Sequence, residues 1–183
     1  MFQEARGELL AKSLLTDVVK ALSLMVAYNK TTIDKLGLVA ERAKNPVVKA
    51  YASYALHEVA KISKLLELAV GRLDVEGLKV SDAEEERLIG GQALSLIHEL
   101  HEILDKLRLR VTKARLTRFA TIGRELAKLL AVQGMAYAKV VEDAGRDPWA
   151  AKAIRRASKE LLSMSSKLKL MKRALALFSL LAS

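Results

Sequence analysis

No cysteine occurs in the 183 residues, which excludes disulfide frameworks, thiolate metal sites and cysteine nucleophiles. Proline is nearly absent, with two in the chain, and aromatic residues make up 4%. What remains is rich in Leu, Ala, Lys, Arg and Glu, the composition of long helices. No stretch reaches the ~20 uncharged residues of a membrane-spanning helix, the best being the tail from Ala174 to Ser183. Glu4, Arg6, Glu8, Lys12, Asp17 and Lys20 interrupt every early apolar run, so the N-terminus does not read as a signal peptide.

Catalytic constellations are missing as well. His98 and His101 stand in His-Glu-Leu-His-Glu, which lacks the zinc-peptidase spacing. No histidine follows a glutamate by three residues, as a di-iron bundle requires. The expected places for His98 and His101 are exposed or half-buried on a helix, and His57 reads as packing. The glycines at 71, 77, 90 and 91 lack the flanking strands of a phosphate-binding loop. Pairs such as Glu85/Glu86 and Glu142/Asp143 lie where helix ends account for them. No enzyme activity, cofactor, metal or small-molecule substrate is expected.

Charge is what the chain has in excess, and it is unevenly placed. The formal net charge is +10. Residues 1–104 hold 13 Lys/Arg against 15 Asp/Glu, whereas residues 105–183 hold 18 against 6. Such a basic half suits a polyanionic partner.

Apolar spacing predicts an all-α helical bundle of about five long amphipathic helices in one domain spanning 1–183. Ala11, Leu15, Val18, Leu22 and Met25 line one side of a first helix, with a kink or restart expected at Asn29–Thr32. Lys44-Asn45-Pro46 begins a second, because proline favours the first helical position. Its stripe is Val48, Ala52, Ala55, Val59, Ile62, Leu66, Ala69 and Leu73, ending near Gly71–Gly77. Ser81-Asp82-Ala83-Glu84 fits a capping box that starts a third helix, 82–110, weakened at Gly90-Gly91. A break at Arg110-Val111-Thr112 precedes a fourth stripe from Leu116 to Ala144, and Arg146-Asp147-Pro148 starts a fifth.

The two proline turns lie 102 residues apart, and the apolar positions after them share one register: Val48 with Ala150, Ala52 with Ile154, Leu73 with Leu175. The pattern predicts two related helical hairpins, 4–73 and 112–182, with the third helix between them.

From Lys106 to Arg124 the chain carries Lys106, Arg108, Arg110, Lys113, Arg115, Arg118 and Arg124 with no acidic residue. On one continuous helix, at about 100° per residue, Lys106, Arg110, Lys113, Arg124 and Lys128 would fall in a narrow sector. The last helix adds Lys152, Arg155, Arg156 and Lys159, then Lys167, Lys169, Lys172 and Arg173, with Glu160 the one acid among them. Few aromatics interleave these residues, so the array fits the backbone of double-stranded DNA better than stacked single-strand bases.

An all-helical, cysteine-free, basic chain of this size resembles the coat proteins of filamentous viruses that infect hyperthermophilic archaea. The resemblance implies a virion subunit that wraps double-stranded DNA, with itself or a related helical subunit as its protein partner. It would make Lys106, Arg108, Arg110, Lys113, Arg115, Arg118, Arg124 and Lys128 phosphate contacts. Residues 1–30 are nearly balanced in charge and so do not identify that family's DNA-wrapping N-terminal arm. Gly90-Gly91-Gln92-Ala93-Leu94 resembles a stretch in the helical small subunits of RNA-guided CRISPR effector complexes, which implies a cytoplasmic alternative. A helical oligomerisation module without nucleic acid is the third reading.

Overall fold

A computed structural model describes the backbone of residues 2–73 and 80–180, and the side chains of residues 12–73, 80, 81 and 83–176. Every regular element among them is an α-helix: α1 (Phe2–Arg42), α2 (Pro46–Leu73), α3 (Asp82–Ile89), α4 (Gly91–Leu109), α5 (Lys113–Asp143) and α6 (Pro148–Leu180).

Six helices replace the expected five because the third is divided. Gly90 takes a φ of 87°, outside the helical region, and its carbonyl accepts from Leu94 N–H as α4 begins. Only glycine enters that region without strain. The expected kink at Asn29–Thr32 does not form, and α1 runs straight through it. Thr31 and Thr32 turn their hydroxyls back to the carbonyls of Ala27 and Tyr28, four residues earlier, so neither caps a new helix.

The two proline starts are built alike. Asn45 Oδ1 accepts from the N–H groups of Val47 and Val48, and Asp147 Oδ1 accepts from Trp149 N–H at 2.7 Å. Each side chain satisfies backbone donors that the first helical turn leaves free. Expected positions beyond Leu73, including Gly77 at the end of α2, fall outside the described residues.

Side-chain pairs fix the relative directions. Lys30 meets Glu67, so α1 and α2 are antiparallel; Lys61 meets Glu160 and Glu58 meets Lys167, so α2 and α6 are too. Ser165 Oγ donates to Arg124 O while Arg155 pairs with Glu142, which sets α5 against α6 in opposite directions. Thr32 beside His101 and Lys35 beside Asp105 make α1 and α4 parallel. The neighbours close a ring in the order α1, α2, α6, α5, α4 and back to α1.

Inside it lie Leu22, Leu36, Ile62, Leu66, Leu104, Ile122 and Ile154, all under 2% exposed. Burying each such side chain contributes about 1.5–3 kcal/mol. The stripes read from the sequence, Val48 to Leu73 on α2 and Ala150 to Met171 on α6, face this interior.

Candidate nucleic-acid interface

The ring's directions decide where the basic residues gather. At one end, the last turn of α1, the first of α2, the last of α4, the first of α5 and the C-terminal part of α6 lie side by side. This end carries Arg42, Lys44, Lys49, Arg108, Arg110, Lys113, Lys169, Lys172 and Arg173, with Glu41 an exposed acid beside Arg42.

The break expected at Arg110-Val111-Thr112 forms, so the basic stretch straddles a turn and does not make the single sector that one continuous helix would give. Arg110 is extended, with φ −153° and ψ 123°, and Thr112 caps α5 by accepting from Arg115 N–H. Lys106 and Arg108 therefore belong to α4, whereas Lys113, Arg115, Arg118, Arg124 and Lys128 belong to α5, which runs back along it. The β-branched pair Val111-Thr112 marks the break, as its low helix propensity suggests.

Three of these cations serve the fold. Arg115 donates to the carbonyls of Lys106 and Arg110, which the end of α4 leaves free. Arg118 pairs with Glu99 across the α4–α5 seam, and Lys106 pairs with Glu102 one turn earlier. Carboxylates already screen both, which weakens them as phosphate contacts. Lys113, Arg124 and Lys128 have no ion pair among the described residues, and Lys113 lies with Lys172 in a shallow depression beside Thr117.

On α6, the exposed positions among the described residues include Lys152, Arg156, Lys159, Lys167, Lys169, Lys172 and Arg173, interspersed with Trp149, Leu162, Ser166 and Leu170, and no acid. Glu160 turns to the side and is held by Lys61 on α2. Of the four α6 residues expected as contacts, Arg155 pairs with Glu142 and Lys152 sits 4.9 Å from the Trp149 ring centre, a cation–π distance. Arg156 and Lys159 have no ion pair among the described residues. The antiparallel pairing places Arg124 and Lys128 of α5 along the α6 ridge, near the level of Leu162–Ser165.

The ridge from Lys152 to Arg173 is about 32 Å long at ~1.5 Å per residue. At its basic end it meets Lys113, and across the α4–α5 turn lie Arg108, Arg110, Arg42 and Lys44. Arg42 and Lys44 were not legible as site residues, since nothing in a linear reading brings residue 44 to residue 110. The parallel course of α1 and α4 does.

At the opposite end, ion pairs hold several of the described acids. Arg87 holds Asp17, with Oδ2 at 2.6 Å, and pulls its carboxyl below the ordinary value. Lys20 meets Glu84 at 2.8 Å, while Ser81 N–H and hydroxyl also donate to that carboxylate, so Glu84 is lowered to about 2. The Trp149 N–H first, and then Arg72, lower Asp147 below its ordinary value.

The histidines are dispersed. His98 and His57 are exposed, the latter bonded to Ser53 O at 2.7 Å rather than packed as expected. Position 57 lies off the α2 stripe, which explains it. His101 is half-buried against Thr32, and burial lowers its pKa. No group of three His, Asp or Glu among the described residues could hold a metal ion, and no described helix is long and apolar enough to cross a membrane. The chain matches no protein-family model, no curated protein and no solved structure.

Proposed function

We propose that the protein is a non-enzymatic structural subunit that packages double-stranded DNA without reading its sequence, and that it assembles with copies of itself or a related helical subunit as a viral coat or nucleoprotein does. One observation carries the reading. Arg156, Lys159, Lys169, Lys172 and Arg173 on α6, with Lys113 and Lys128 on α5, are exposed and have no ion-pair partner among the described residues, while Lys61, Arg118 and Arg155 hold Glu160, Glu99 and Glu142; Glu125, beside Lys128, is an exposed acid without an ion pair.

A solvated face that serves only solubility mixes both signs and pairs them. An acid-free ridge about one duplex turn long suits a row of phosphates. Trp149 beside Lys152 and Tyr54 beside Lys167 are the aromatic rings that meet its cations among the described residues, too few to stack a run of bases, which favours backbone contact. Leu162 and Leu170, 47% and 61% exposed on the same helix, provide apolar area for subunit contacts.

The test is electrophoretic mobility of random-sequence 40-base-pair duplex, single-stranded RNA and single-stranded DNA, followed by electron microscopy of the shifted species. Sequence-blind duplex binding with filaments supports packaging. Preference for single-stranded RNA without filaments favours the subunit of an RNA-guided complex. Absence of binding to all three would leave a helical oligomerisation module.

A further inference from the structure

A cleft of about 310 Å³ opens at the basic end, between the α1–α2 turn and the α4–α5 turn. Arg42, Lys44, Arg108 and Arg110 line it together with Asn45, on an apolar floor that includes Val39 and Leu107, and no acidic residue lines it. Volumes near ~300 Å³ are at the lower limit of small-ligand sites.

The local fields decide the sign of the ligand. Two helix C-termini, those of α1 and α4, point here and bring about half a negative charge each. Arg115 already covers the carbonyls of Lys106 and Arg110 at the end of α4, and the N-terminus of α2 offsets the end of α1. Four full cations then remain. An apolar floor strengthens their pull, because charge interactions grow as the local dielectric falls.

Two donors lack acceptors. Arg108 Nε is buried and meets none among the described residues. Asn45 uses its carbonyl oxygen to cap α2, which leaves its amide hydrogens for another group. A buried N–H without an acceptor is costly, so the cleft is built for one.

We propose that this cleft binds a phosphate group, with Arg108 and Arg42 as the principal donors and Lys44 and Arg110 closing over its outer oxygens. The proposal rests on the nucleic-acid reading only for the source of the phosphate. A polynucleotide backbone and a free polyphosphate present the same chemistry.

Isothermal titration calorimetry with inorganic pyrophosphate, paired with fluorescence anisotropy on a 30-base-pair duplex, separates them. Wild type should bind pyrophosphate. Arg42→Gln/Lys44→Gln, both exposed, and Arg108→Gln should each weaken it at least tenfold, while Lys159→Gln on the ridge leaves it within twofold. Should Arg108→Gln fail to fold, the exposed pair carries the test. Absent pyrophosphate binding, or a loss under tenfold in the exposed pair, overturns the proposal, and intact duplex binding in the same samples would leave the packaging reading standing. Pyrophosphate binding that depends on the cleft, with no duplex binding, would keep the site, assign it to a free polyphosphate and sink the packaging reading.

Discussion

Arg115 Nη1 lies 2.7 Å from the carbonyl oxygens of both Lys106 and Arg110, so one guanidinium closes the end of α4 from the first turn of α5. An arginine inside the most basic stretch of the chain thus holds the turn that shapes it. Arg115→Gln should cost about 1–2 kcal/mol of stability, since hydrogen bonds from charged donors are worth somewhat more than neutral ones. Urea unfolding by circular dichroism measures this; an unchanged midpoint would show that the turn needs no such closure.

Gly134 and Ser158 mark a close approach of α5 and α6. A Cβ on Gly134 would stand 2.3 Å from Ser158 Oγ, which donates to Ile154 O at 2.9 Å. Gly134→Ala must therefore displace the hydroxyl and break its bond. Gly134→Ala/Ser158→Ala removes the obstacle and keeps the helix-propensity gain of ~1 kcal/mol. The double variant should melt above Gly134→Ala in calorimetry. If it melts at the same temperature or below, the close approach does not limit packing.

Lowered pKa values give stability a pH dependence of one sign below neutrality, at His101 and at Glu84, Asp17 and Asp147. Burial holds His101 below the ordinary 6.5, with the nearby Lys35 ammonium acting in the same direction. The unfolded chain then takes up a proton that the folded chain refuses, so stability is complete above 6.5 and falls as pH drops through the folded value. Glu84 is held at about 2 by Lys20 first and Ser81 next, and its contribution is lost as pH falls from 4.5 towards 2. Melting temperatures should decline in two stages below pH 7. His101→Gln should remove the upper stage and leave the lower one; an unchanged profile in that variant would remove His101 from the account.

The interior was legible because its signal is periodic. Val48 to Leu73 and Ala150 to Met171 were readable as stripes, and both proline turns cap as such residues do. Breaks were harder, because two physical outcomes compete at the same residues. Thr32 could have capped a new helix but bonds back to Tyr28, whereas Gly90, expected only to weaken a helix, ends one. Which cations stand unpaired was half legible. Lys128, Arg156 and Lys159, singled out by charge alone, have no ion pair among the described residues, but Arg118 and Arg155 looked the same in sequence until Glu99 and Glu142 arrived across a seam. Arg42 and Lys44 required the three-dimensional path of α1 beside α4.

On the proposed function, the unpaired cations of α5 and α6 neutralise phosphates. Fluorescence anisotropy of a random-sequence duplex across a salt series measures this directly, because each phosphate neutralised adds ~0.9 to the slope of log affinity against log salt. Lys128→Gln/Arg156→Gln/Lys159→Gln should bind more weakly and flatten the slope by roughly 2–3. A wild-type slope near zero, or a triple variant with the wild-type slope, would contradict the account.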